Sequence, residues 1–237
     1  MLDAVKKRVF APHLETAHVR AAMHHLLQAI PEARNLLDVG CGDGHATRRY
    51  AGTWNLPPEK IVGIELQEKY TKTIDSFRVY SFDIEKESFP FADQSFDVVV
   101  CNQVIEHLKV VIFPLREMAR VARKDGFLAV GIPNLSALIS RFYLLLGRAP
   151  ISLAFPGPHV RGFAHRSFVR FLGSNPNFVL TATTGAVFYP VPPPLSEPLA
   201  RRFPGGACYT FYLLRKIHHS PEQDWPADAY GDESITG

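Results

Sequence analysis

The residues of this chain best suited to chemistry are a glycine-rich turn, Asp38-Val39-Gly40-Cys41-Gly42-Asp43-Gly44, and three polar side chains after it, Glu65, Asp83 and Asn102. Gly40 and Gly42 let the backbone turn tightly and approach a ligand closely, and a helix starting just after such a turn aims its first amides at the same space. That combination can hold a carboxylate or a phosphate. A dinucleotide-binding fingerprint requires a further glycine three residues after its second one, and His45 stands there, which disfavours a pyrophosphate. Glu65 lies 23 positions beyond Gly42, where an acidic side chain accepts hydrogen bonds from ribose hydroxyls. Asp83 falls at the depth at which a carboxylate would accept the exocyclic amine of adenine, with Ile84 against the ring. Asn102 falls beside the place for an amino-acid portion of the ligand. His107 follows Glu106 near the same crevice, and imidazole can take a proton near neutral pH. The Glu-His pair can equally serve only to fix its loop.

These residues must be positioned by strand ends. Apolar runs at Leu36–Val39, Ile61–Ile64, Val79–Phe82 and Phe96–Cys101 alternate with stretches of helical rhythm at 43–52, 67–76 and 109–124, and such alternation implies parallel pairing through right-handed crossovers. A helix over 14–30 precedes them. A fifth strand, Phe127–Ile132, is expected after the turn Lys124-Asp125-Gly126. Beyond Pro133 the spacing of Leu135, Leu138, Ile139, Phe142, Tyr143 and Leu146 predicts an amphipathic helix ending at Gly147. A proline- and glycine-rich segment, a helix over 164–173 and two β-rich runs, Phe178–Tyr189 and Cys208–Leu214, follow, the last two joined by the proline-rich Pro190–Pro204. Polar groups at four consecutive strand ends meet in one crevice, where doubly wound sheets bind ligands.

Charge divides the chain. Residues 1–132 balance 17 Lys and Arg against 17 Asp and Glu, whereas residues 133–216 hold nine against Glu197 alone, and residues 217–237 carry five acidic side chains and no Lys or Arg. The last stretch is expected to be a solvated, disordered tail, so the expected domain covers 1–216. Apolar runs are too short to span a bilayer, no secretory signal is evident at the start, and a cytoplasmic location is expected. Cys41, Cys101 and Cys208 are too few for a disulfide framework. No Cys or His pair has ligand spacing, and no metal is expected.

Leu36-Leu37-Asp38-Val39-Gly40-Cys41-Gly42-Asp43-Gly44 resembles the first motif of the class I S-adenosylmethionine-dependent methyltransferases, and Val62-Gly63-Ile64-Glu65 the second. Phe89 to Val99 resembles their acidic loop leading into the fourth strand, and Val104-Ile105-Glu106-His107-Leu108 a common stretch after it. The segment from Ile132 to Pro150 looks like two subgroups, one linked to methionine biosynthesis and one of small-molecule and glycan methyltransferases related to ubiquinone O-methyltransferases. The resemblance implies an α/β, Rossmann-like doubly wound sheet of seven strands, mostly parallel with an antiparallel last strand, helices on both faces and a helical lid at 135–163. It implies S-adenosylmethionine as cofactor, held by Asp38, Gly40, Cys41, Gly42, Glu65, Leu66, Asp83, Ile84 and Asn102. His107 is the candidate base, and Arg141, His159 and Arg161 are candidates for binding a small-molecule acceptor, anionic or linked to a lipid or glycan. A non-catalytic module that binds the same cofactor or its demethylated product for regulation is the alternative. Nucleic acid is disfavoured, because Asn102 is followed by Gln103-Val104-Ile105 and not by a Pro-Pro-aromatic motif.

Overall fold

A computed structural model describes residues 12–192, 194–220 and 224–225. Its centre is a seven-stranded sheet in the order β3-β2-β1-β4-β5-β7-β6. The strands are β1 (Leu36–Val39), β2 (Ile61–Ile64), β3 (Arg78–Tyr80), β4 (Phe96–Asn102), β5 (Ala122–Pro133), β6 (Phe178–Ala186) and β7 (Tyr209–Lys216). The first five pair in parallel, and β7 runs antiparallel between β5 and β6. The fold is therefore the expected one, with the reversed strand inserted between its neighbours.

Strand periodicity divides the core in two. Leu37, Val39, Val99, Cys101, Leu128, Val130, Tyr212 and Leu214 face one side, where α4 (Ile112–Val121) and α6 (His165–Leu172) supply Leu115, Met118, Phe168 and Leu172. Leu36, Val98, Val100, Ala129, Phe211 and Leu213 face the other, covered by Met23 and Leu27 of α1 (Pro12–Leu27) and Tyr50 of α2 (His45–Ala51). Because successive strand residues point to opposite faces, near-continuous apolar strands such as Val98–Cys101 are buried on both sides. A single-turn helix, α3 (Glu68–Thr71), replaces the expected helix over 67–76.

Three local expectations change. β5 begins at Ala122, so Lys124-Asp125-Gly126 lies within the strand and not before it. Asp125 has φ +65°, and a Cβ on Gly126 would stand 2.7 Å from the Asp97 carbonyl. The turn-forming residues thus make an irregularity inside the β4–β5 ladder, where the register shifts. The proline-rich 190–204 link contains α7 (Ser196–Arg202). Finally, within the stretch expected to be a disordered tail, Trp225 is fully buried, stacked on Phe171 and Phe178, and its Nε1 donates to the Phe171 carbonyl, while 221–223 and 226–237 lie outside the described residues. An indole buries so large an apolar area that the neighbouring acidic residues do not prevent docking.

The segment expected to form a lid begins at the carboxyl end of β5. There, Asn134 donates from its side chain to the Gly205 and Ala207 carbonyls and accepts from Ser136. α5 (Leu138–Leu145) follows, and the chain returns through Pro158–Phe163, where Leu135 N–H donates to the Phe163 carbonyl.

Candidate active site

Asp38 is the last but one residue of β1 and only 3% exposed. Desolvation raises its pKa to about 7, a nearby Glu65 charge adds to the rise, and a 2.6 Å hydrogen bond from the Thr47 hydroxyl opposes it. The glycines after it turn as the motif requires, with φ +76° at Gly40 and +55° at Gly42. Added Cβ atoms would meet different fates: at Gly40 one would collide with Val104 Cγ2 at 2.3 Å, whereas at Gly42 nothing lies within 4 Å. Space is therefore what Gly42 contributes.

The amides of the turn behave differently from the expectation. Gly40 and Cys41 N–H both donate to the Ile64 carbonyl, Gly44 N–H to the Cys41 carbonyl and Gly42 N–H to Glu65 Oε2 at 2.9 Å. Three of these donors hold the turn against the end of β2 and Gly44 closes the turn on itself, so none is left free for an anion. Glu65 also accepts from Gln67 N–H at 2.8 Å through its other oxygen. One carboxylate thus clamps both walls of the crevice, and each oxygen keeps a second lone pair for a ligand hydroxyl.

Two adjoining cavities meet at Gly40 and Gln103. The smaller, about 250 Å³, is lined by Asp38, Cys41, Gly42, Asn102 and, from the helices, Arg20 and Tyr50. The larger, about 410 Å³, is lined by Glu65, Leu66, Asp83, Ile84, His107 and Pro158. Every residue proposed for the cofactor lines one cavity or the other. Asn102 donates to the Tyr50 hydroxyl at 2.9 Å, while its buried Oδ1 has no partner. Asn102 and the Asp38 carboxyl line the same, smaller cavity. Asp83 is more committed: its carboxylate accepts from Glu85 N–H and pairs with Lys86 at 2.8 Å, and the Lys86 bond holds its pKa below the ordinary value.

His107 lies at the rim, its Nδ1 3.1 Å from the Pro158 carbonyl. Burial and the neighbouring His159 lower its pKa, against that hydrogen bond. His159 packs edge-on against it, with ring centroids 4.8 Å apart. The other acceptor candidates are placed elsewhere. Arg141 donates to the Ser136 and Gly205 carbonyls and Arg161 to the Lys109 carbonyl, and neither lines the two cavities. Gln103 was missed by sequence reasoning. It lines both cavities, adopts φ +59°, and leaves its buried Nε2 without a partner. A non-glycine residue held in this conformation is a recurrent mark of a functional site, but nothing in its residue type announces it.

Residues 37–130 match the family model described as a methyltransferase domain. Over this stretch, about two fifths of the chain, the protein is similar to S-adenosylmethionine-dependent methyltransferases. A probable S-adenosylmethionine-dependent methyltransferase of Mycobacterium tuberculosis is 35% identical over 104 residues, 43% of this chain and 36% of the relative. The 27-O-demethylrifamycin SV methyltransferase of Amycolatopsis mediterranei is 31% identical over 40% of this chain and 37% of its own. The aligned stretch therefore spans little more than a third of these relatives. Among solved structures, a possible histamine N-methyltransferase of Thermotoga maritima superposes with TM-score 0.63 at 21% identity, covering 90% of this chain and 99% of its own, and shows the shared fold.

Proposed function

We propose that this methyltransferase transfers the methyl group of S-adenosylmethionine to an amphipathic small molecule that carries an anionic group and an apolar chain. The bound cofactor would supply an activated methyl sulfonium, so the protein's work is to align the acceptor and exclude water. Asp38, Glu65 and Asn102 would orient the donor. If the acceptor atom is a hydroxyl, His107 is placed at the rim to receive its proton.

The acceptor class rests on the lid. Between Asp125 and Glu197 the chain contains no Asp or Glu, yet it holds Arg141, Arg148, Arg161, Arg166 and Arg170. In the same stretch α5 does not bury its apolar residues as a core helix would: Leu145 is 85% exposed and Phe155, farther along, 97%, with Leu138, Phe142, Leu144 and Leu146 also exposed. An apolar surface of this kind marks an interaction site, and its cationic setting selects a negative partner. The lid returns at Pro158 and His159 to the rim of the larger cavity. The regulatory alternative has no comparable support, since the relatives named above carry the names of methyltransferases.

The test measures formation of S-adenosylhomocysteine with carboxylated or phosphorylated phenols that differ only in alkyl chain length. Each buried methylene is worth roughly 0.8 kcal/mol, so KM should fall about tenfold for every two methylenes until the chain outgrows the lid. The variants Leu145→Asp and Phe155→Asp should raise KM for the long-chain acceptor by about tenfold and leave cofactor affinity unchanged. A KM independent of chain length would reject this acceptor class.

A further inference from the structure

We propose that Glu106, His107 and His159 form a binding site for one divalent transition-metal ion of the zinc class, set between the 105–107 turn and the returning lid. One oxygen of Glu106 and one nitrogen of each ring lie within 4.8 Å of one another. Ligands around a tetrahedral ion, each at about 2.0–2.2 Å, stand roughly 3.4 Å apart, so the three groups are already gathered nearly as closely as one ion would hold them.

The hydrogen bonds prepare both rings for this role. His107 Nδ1 meets the Pro158 carbonyl at 3.1 Å and His159 Nδ1 meets the Ser152 carbonyl at 2.7 Å. A carbonyl can only accept, so each Nδ1 carries the proton and each Nε2 keeps its lone pair. Backbone carbonyls fix metal-binding imidazoles in this same way. The carboxyl group gives the second, independent observation. Glu106 is 1% exposed, and no other residue gives either of its carboxylate oxygens a hydrogen bond. A buried carboxyl without such partners is costly. A divalent cation between it and the two imidazoles would satisfy the group.

The backbone already holds the two segments together, since the main-chain carbonyl of Glu106 accepts from Val160 N–H at 2.9 Å and Arg161 N–H at 3.2 Å. Three protein ligands leave at least one coordination position for water or an acceptor oxygen; with the ion bound, metal-held hydroxide would take a hydroxyl acceptor's proton, and His107 would serve as the base only in the metal-free protein. Cys, His and carboxylate spacing in the sequence does not disclose such a site, because His159 arrives from the far side of the lid.

The experiment is a calorimetric titration of the full chain, stripped with a chelator, with Zn²⁺ alone, repeated with Co²⁺ followed by visible absorption. We expect one equivalent per chain, a cobalt spectrum of low coordination number, and at least thirty-fold weaker binding in Glu106→Gln and in His159→Ala. S-adenosylhomocysteine affinity, measured on the same samples, should change little, which separates loss of the metal site from loss of the methyltransferase site. If Glu106→Gln does not fold, His159→Ala decides alone, because that ring sits on the lid outside both cores. Absence of a saturable site, or wild-type affinity in the variants, would mean an adventitious ion only and would overturn the proposal.

Discussion

The ionisation of Asp38 should be visible in cofactor binding. In the free protein its pKa is about 7, set mainly by desolvation, so at pH 7 the carboxyl is about half protonated. A ligand ammonium is held well only by the carboxylate, and binding must therefore expel the proton. With a pKa of 7 the ionised fraction is about 0.09 at pH 6 and about 0.76 at pH 7.5, so the affinity for S-adenosylhomocysteine should rise about eightfold across that interval. The ligand's own α-amino group remains largely protonated over the same range. Calorimetry in two buffers of different ionisation enthalpy should register release of about half a proton at pH 7. Asp38→Asn should abolish this pH dependence and, by removing a charge-assisted hydrogen bond of about 1.5–3 kcal/mol, weaken binding at pH 7.5 by ten- to a hundredfold. The folded-state pKa lies above the ordinary 3.8, so the free protein should also lose stability as pH rises from about 4 to 7, and Asp38→Asn should lose less. Affinity that is flat from pH 6 to 7.5, or a pH dependence that survives in Asp38→Asn, would refute the assignment of Asp38 to the amino group.

Two further perturbations address the clamp and the carboxy-terminal seal. Glu65→Ala removes the acceptor of two backbone amides as well as the proposed ribose contact; cofactor affinity measured by calorimetry should fall by at least tenfold, and an unchanged value would remove Glu65 from the nucleoside site. Trp225→Ala, which empties a fully buried indole position between Phe171 and Phe178, should cost about 3–5 kcal/mol in urea unfolding, and a loss below about 1 kcal/mol would show that the docking contributes little to the fold.

The parts of this architecture legible in the sequence were those written in short-range patterns. Val98–Cys101 reads as a strand buried on both faces because its apolar run is continuous, and Gly40 and Gly42 read as a ligand turn because positive φ and a missing Cβ are requirements of residue type. Glu65 and Asn102 followed from their places at strand ends. The amide bonding of the turn was not legible, since whether Gly42 N–H faces a ligand or Glu65 depends on how β1 and β2 are aligned. The helix after Pro133 is legible, but its exposure is not: periodicity predicts that Leu138, Phe142 and Leu146 share a side, not that anything covers it. Trp225 was obscured by the acidic composition around it, and α7 by the prolines on either side of Ser196. Charge alone marks Arg141 and Arg161 as acceptor candidates, while the carbonyls that accept from their guanidinium groups are set by tertiary structure. The meeting of Glu106 with His159 is purely tertiary.

The position of β7 has a consequence for the order in which the molecule can be assembled during synthesis. Among the described residues β6 is hydrogen-bonded into the sheet only through β7, which is made after it and must enter between β5 and β6. A nascent chain that has reached Ala186 can already pair β1 through β5, with the glycine turn and Glu65 in place, but its sixth strand has no neighbour until Tyr209–Lys216 has left the ribosome. The crevice at the ends of β1 and β2 can thus form before the β6 edge, which waits for a strand made after it.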